Sequence, residues 1–496
     1  MSIYIYILKI FFKTTTIYYI FIRRLSMGQF ISFLTDIAST ISDFVWGPFF
    51  LIPLLCGTGL FFTIRLKLIQ VRKFPEGWKR IFGIFSLKGE KAGKHGMTPF
   101  QALATAIAAQ VGTGNLVGAM TALTIGGPGA IFWMWLAAFF GMATIFAEAI
   151  LAQVYKTTDE TGQVVGGPAY YISKGLGNNA FSKFLAGFFA VAIILALGLM
   201  GNMVQSNSIS AAFQNAFSIP TWATGIGLAL FLSIILLGGI KRIASVTEKI
   251  VPIMAISYIL VGLFIVLMNI KTIPQIFGLI FGAAFSSNAI WGGAAGVAVA
   301  TAARYGIARG LFSNEAGMGS TPHAHAVAKV DHPAHQGVIA IVSVFIDTFI
   351  VLTITVFTVL SQNIDAKPTL QGIEIVQDAF AKGLFGNSML GYSFISICLF
   401  FFAFSTIIGW YYFAESNIRY LFGKHLITPF KVLVVCFVFI GSILRIDLVW
   451  NLSDLFNGFM VVPNLVALLL LSGTVVKIMQ DSKNGIPYQQ DNYIKK

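Results

Sequence analysis

The chain has 496 residues, 57% of them hydrophobic and 10% charged, with a formal net charge of +14. A water-soluble domain carries about 25% charged residues, so the composition excludes a soluble protein and points to a membrane protein. The basic excess does not indicate nucleic acid, because the lysines and arginines fall in loops between apolar stretches, where they report topology.

Residues 1–26 are hydrophobic but interrupted by Lys9 and Lys13, and they carry no small-residue cleavage site. Translation is expected to begin at Met27; a twelfth or interfacial helix is the alternative. A bilayer core needs about 20 apolar residues per helix. Eleven such spans are expected, near 44–64, 101–124, 129–154, 184–211, 222–240, 246–269, 276–301, 336–360, 388–413, 428–444 and 449–475. Their unbroken apolar character excludes an outer-membrane barrel. With the 65–98 loop placed in the cytoplasm, 25 basic residues beyond residue 26 lie inside and four outside, while Lys9, Lys13, Arg23 and Arg24 of the 1–26 stretch do not fit the scheme. This bias puts the C-terminus in the cytoplasm. Cys56, Cys398 and Cys436 have no metal or disulfide spacing and read as small core residues.

Glycine-rich polar breaks inside apolar spans point to a transport site. The clearest is Gln110-Val111-Gly112-Thr113-Gly114-Asn115 in the second span. Each glycine costs about 1 kcal/mol in a helix interior. An unwound turn there offers amides to an anion and carbonyls to a cation; the rival reading is a small-residue packing groove. For the seventh span two registers compete. One puts the break at Trp291-Gly292-Gly293, and the other at Phe312-Ser313-Asn314-Glu315-Ala316-Gly317. The second buries Arg304 and Arg309 in the outer half-helix, a charge cost that favours the first. In the ninth span, the adjacent Ser405 and Thr406 hydroxyls either add oxygens to a cation shell or bond back to their own helix.

His323, His325, His332 and His335 are expected in a cytoplasmic loop, solvated or capping. Among intramembrane acids, Glu148 is expected to pair with Lys156 and Glu415 with Arg419. Asp347 lies deeper and is the better candidate for a functional role. A proton-coupled symporter and a channel stay open as alternatives. No triad order, metal-binding helix or phosphate loop suggests an enzyme.

Together these motifs resemble the alanine or glycine:cation symporter family. The resemblance runs from about Met27 to the tail. It rests on Gly126-Gly127-Pro128-Gly129-Ala130-Ile131-Phe132-Trp133-Met134-Trp135-Leu136, on Val111–Asn115, on Gly166-Gly167-Pro168-Ala169-Tyr170-Tyr171, on Gly201–Ser208, on Arg309–Gly317 and on Ser405–Trp410. It implies an all-α polytopic protein of the leucine-transporter-like fold, with an inverted 5+5 helix repeat plus one extra N-terminal helix. On that reading, 27–100 holds the extra helix and a basic loop, 101–270 and 271–476 are the two repeats, and 477–496 is a cytoplasmic tail. The implied activity is sodium-coupled uptake of a small neutral amino acid, alanine or glycine, across a bacterial inner membrane. Na⁺ is the coupling ion, with no organic cofactor. The resemblance places Na⁺ at the carbonyls of Ala108, Val111 and Phe402 and the hydroxyls of Ser405 and Thr406. It places substrate at Thr113, Gly114, Asn115, Gln205 and Trp410, with Gly292 and Gly293, or alternatively Phe312, Ser313 and Asn314, from the second repeat. Gln110 stands where related symporters have a small residue, which argues for a single sodium.

Overall fold

The computed structural model describes residues 27–47, 49–83, 96–160, 162–177, 179–285, 294–362, 370–444 and 446–494. The 1–26 extension and the Trp291-Gly292-Gly293 stretch lie outside these residues.

The amphipathic α1 (Met27–Val45) leads into α2 (Leu51–Arg65) and α3 (Phe74–Gly83). The next span comes in two pieces, α4 (Pro99–Gln110) and α5 (Ala119–Gly126). A π-helical turn at Gly114–Gly118 joins them, and the bend is 45°. Thr98 and Gln101 open α4 with a reciprocal capping box. Then follow α6 (Gly129–Val154), a hairpin of β1 (Thr157–Thr158) and β2 (Val164–Val165), α7 (Pro168–Gly175) and α8 (Ala180–Ile193). The last runs through a π segment, Ile194–Gly201, into α9 (Asn202–Phe217). Next come α10 (Thr221–Leu236), α11 (Gly239–Met268), α12 (Ile273–Ala284), α13 (Ala294–Asn314) and α14 (Pro322–Val327). The chain continues with α15 (Pro333–Val344), the π segment Phe345–Leu352, α16 (Thr353–Ser361) and α17 (Ile373–Gly383). It ends with α18 (Ser388–Phe422), α19 (Ile427–Ile443), α20 (Ile446–Leu470) and α21 (Ser472–Lys483).

Among the described residues, six helices are long and apolar enough to cross a membrane, or seven if α4 and α5 count as one broken span. Shorter apolar helices include α2, α10 and α19. Leu230, Phe231 and Ile234 of α10 and Ile253, Ile256 and Leu260 of α11 point outward. Monomers in water rarely expose contiguous apolar patches beyond a few hundred Å²; lipid is the solvent that suits this face. The chain is therefore a polytopic helical membrane protein. The middle of α18 is buried on all sides, from Phe402 to Asn417, and forms the axis of the bundle. Cys398 is buried there as expected, whereas Cys436 on α19 faces outward rather than into the core.

The seventh span differs from the preferred register. Residues 276–301 are not one helix: α12 stops at Ala284, and α13 is uninterrupted from Ala294 to Asn314. The break falls after Asn314. As lone charges the two arginines would oppose this register, but both have partners. Arg309 makes a bidentate pair with Asp454 of α20 (2.6 and 2.8 Å) and stacks on Trp450, and Arg304 pairs with Asp43 of α1. Bidentate geometry offsets part of the desolvation cost that a lone charge would carry in full.

Candidate functional site

The first break lies between α4 and the Gly114 turn. Val111 is extended (φ −79°, ψ 93°), so the helix ladder stops at Ile107, whose carbonyl accepts from the Val111 N–H. The Gly112 N–H, which would have continued the ladder to Ala108, donates instead to Asn115 Oδ1 at 3.0 Å. The Thr113 N–H donates to Gln205 Oε1 on α9 at 3.1 Å. Ala108 therefore keeps an orphan carbonyl, as helix ends do. The Thr406 hydroxyl lies 2.8 Å from this oxygen, 3.0 Å from the Phe402 carbonyl and 3.4 Å from the Val111 carbonyl. The Ser405 hydroxyl lies 2.9 Å from the Phe402 carbonyl and 3.4 Å from that of Ala108. Two hydroxyl protons thus face three carbonyls, an excess of oxygen lone pairs in a buried spot. That donor set, hard oxygens without a carboxylate, fits an alkali cation better than Ca²⁺ or Mg²⁺. Gly112 has to be glycine, because a Cβ there would stand 2.5 Å from Thr406 Oγ1.

The second break lies between α13 and α14. Glu315, Gly317 and Gly319 all take positive φ (57°, 90° and 81°); the Glu315 N–H still closes on the Leu311 carbonyl of α13 at 2.8 Å, whereas the Gly317 and Gly319 amides leave the helix ladder. The Gly317 and Gly319 N–H groups donate to the Glu148 carboxylate of α6 at 3.1 and 2.9 Å. Asn464 of α20 donates to the same carboxylate (2.6 Å) and to the Gly317 carbonyl (2.9 Å). Glu148 does not pair with Lys156 as expected: eight residues along a helix is about 12 Å, and Lys156 bonds Gln153 and the Ala328 carbonyl. Glu415 does pair with Arg419, at 2.7 Å.

The two breaks touch. A Cβ on Gly114 would stand 2.8 Å from Ser313 Cα. Gln110 Nε2 donates to the Asn314 carbonyl at 2.7 Å, so this side chain crosslinks the breaks. Asp347 binds both: it accepts from Asn115 Nδ2 (2.7 Å) and from Ser313 Oγ (3.0 Å), and also from Thr348. Trp410 is buried, donates to the Glu315 carboxylate, and meets Phe312 edge-on at 5.6 Å. Its ring presses on Gly201, where a Cβ would stand 2.5 Å away.

Of the substrate residues named from sequence, Thr113, Gly114, Asn115, Gln205 and Ser313 thus converge, with Phe312, Asn314 and Trp410 on the second-break side. Gly292 and Gly293 lie outside the described residues. The histidines are not in a solvated loop: His323 and His325 are fully buried on α14, where His323 bonds Asn417 and Ser320 and lies between Phe189 and Phe413. His332 does cap α15. The Glu148–Asn464 clamp and the Glu315–Trp410 contact join residues too far apart in the chain to be legible from sequence. The spaced Gly317 and Gly319 were the one available signal, since two buried amides freed by glycine need an acceptor.

Two interrupted helices that meet inside a membrane bundle, their non-helical amides held by side chains instead of a helix ladder, make the arrangement of a membrane transporter. The chain belongs to the sodium:alanine symporter family, whose model matches residues 31–496. It is 43% identical to the sodium/alanine symporter AgcS of Methanococcus maripaludis, over 89% of this chain and 95% of that protein. It is 41% identical to the amino-acid carrier protein AlsT of Bacillus subtilis (91% and 92%). It is 40% identical to the "Probable sodium/glutamine symporter GlnT" of the same organism (90% of each). These relatives are transporters and not enzymes.

Proposed function

We propose that this chain is a sodium-coupled symporter that carries alanine or glycine into a bacterial cell by alternating access. The observation that carries this reading is the convergence of the Ser405 and Thr406 hydroxyls on the Ala108, Val111 and Phe402 carbonyls at the broken end of α4. Na⁺ would take these five oxygens, with the hydroxyl protons rotating away. The Thr113 and Gly114 amides would take the substrate carboxylate, Gln205 yielding its bond to Thr113, while Asn115, Phe312, Ser313 and Asn314 complete the pocket. Because Na⁺ and carboxylate sit on the two sides of one unwound turn, each would raise the other's affinity, typically by 1–3 kcal/mol.

In this reading eleven spans form two inverted five-helix repeats behind α2, and the broken pairs α4–α5 and α13–α14 begin them. The breaks then lie at matching places in the two halves, as inverted-repeat transporters require. The C-terminus lies in the cytoplasm. Trp410, pinned against Gly201, would restrict the side chain by volume and favour alanine or glycine over glutamine, which the relative GlnT is named for.

Uptake of labelled alanine into proteoliposomes, with and without an inward sodium gradient, tests the reading. Uptake that ignores the gradient overturns it. Counterflow separates carrier from channel, because a channel shows no trans-stimulation by unlabelled alanine. Trp410→Ala should admit glutamine; unchanged selectivity would count against the volume filter.

A further inference from the structure

A cavity of about 430 Å³ opens beyond the first break, on the face that carries α17. Val117 of the Gly114–Gly118 turn forms one wall, α9 contributes Ser208, Ala211 and Gln214, the start of α17 contributes Glu374, and the end of α19 closes the side. The cavity continues the candidate site. Ser208 follows Gln205 at i+3, so it lies on the same helix face about 4.5 Å further along the axis. Gln205 is the side chain that holds the Thr113 amide.

The lining is selective in its chemistry. Among the described lining residues Glu374 is the only charged one. It is half-buried, accepts the Gln371 N–H at 3.2 Å, and has no basic partner among the described residues. The nearest lysine on its helix, Lys382, pairs with Asp378. Ser208, also in the lining, is 2% exposed, and its hydroxyl has no hydrogen-bond partner among the described residues. An orphan hydroxyl in a wall asks for a ligand atom. A carboxylate without a counter-ion among the described residues, beside an unpaired hydroxyl and without a lysine or arginine in the lining, suits a compact cation such as a primary ammonium.

We infer that this cavity is a second amino-acid site, in which Glu374 holds the substrate's ammonium group and Ser208 its polar end before it enters the central pocket. The inference rests on the proposed symport and names where its substrate is first captured. Such a site raises the local substrate concentration one helical turn from its destination. Its loss therefore appears in KM more than in the maximal rate.

The test is initial alanine uptake by the full chain in vesicles, with substrate supplied on the cavity face at saturating Na⁺. Glu374→Gln is expected to raise the KM for alanine about five-fold and to leave the half-saturating Na⁺ concentration unchanged. Ala211→Trp fills the cavity from a neutral position and should raise KM similarly, which covers the case that Glu374→Gln does not reconstitute. Lys382→Gln, a charge change on the same helix away from the cavity, should leave KM as in wild type. An unchanged KM in both cavity variants, with wild-type uptake intact, overturns the second site alone. A shift in the Na⁺ requirement instead of the alanine KM overturns it too, because the carboxylate would then be collecting the ion. Absence of sodium-dependent uptake in the wild type would instead defeat the symport reading itself.

Discussion

Gly114 and Ser313 lie in backbone contact, 199 residues apart in the chain, with room for no atom between them: a Cβ on Gly114 would stand 2.8 Å from Ser313 Cα. The two broken helices therefore meet at their unwound ends. Whatever moves one break moves the other, which is what a carrier with one shared pocket requires.

Gly114→Ala should abolish transport while the protein still reaches the membrane. Its Cβ meets backbone, which cannot yield as a flexible side chain does. Gly187→Ala is the control, because among the described residues nothing lies within 4 Å of a Cβ there. It should transport normally and gain up to about 1 kcal/mol of helix stability. Uptake and melting of the two variants side by side decide the matter; equal activity would show that the breaks separate more easily than their contact implies.

Thr406→Ala should raise the half-saturating Na⁺ concentration about ten-fold, equivalent to about 1.4 kcal/mol, and Thr406→Ser should recover most of it. The threonine hydroxyl reaches three carbonyls at once, and serine keeps that oxygen. Sodium titration of uptake is the measurement. An unaltered requirement in the alanine variant would remove Thr406 from the ion site.

Glu148→Ala should destabilise the protein more than Glu148→Gln. Alanine strands the Gly317 and Gly319 amides in a dry interior, at about 1–3 kcal/mol each. Glutamine keeps one acceptor oxygen. Melting in detergent gives the order, and equal melting temperatures would mean that water or Asn464 takes over the amides.

Arg309→Met should cost up to about 3 kcal/mol, the low end of what breaking a buried pair costs, because it leaves the half-buried Asp454 unpaired. Arg309→Met combined with Asp454→Leu should recover most of that loss. Thermal melting of the single and double variants checks this, and additive losses would show that the pair contributes nothing as a pair.

The elements were legible to different depths. The 129–154 span matches α6 in both bounds, and the Gly112–Asn115 break stands where two glycines interrupt an apolar run. Both are local signals, carried by hydropathy and backbone propensity within about 20 residues. The five oxygens around Thr406 came from resemblance and not from spacing, since Ala108 and Thr406 are 298 residues apart. The seventh span was misplaced because the burial cost of Arg309 was reckoned without Asp454, 145 residues away. Glu148 was misassigned for the same reason: the nearest cation in sequence is not its partner in space.

By itself the sequence determined that this chain lives in lipid, roughly where its helices run, and where the second span is weakest. Those outcomes follow from the free energy of transferring each segment from water and from the cost of glycine in a helix, both properties of short stretches. Only the tertiary structure decided which break faces Ser313, which amides Glu148 holds and which carboxylate answers Arg309. A buried charge or bare peptide group takes its partner from whichever helix packs beside it, and that neighbour is chosen by the whole fold.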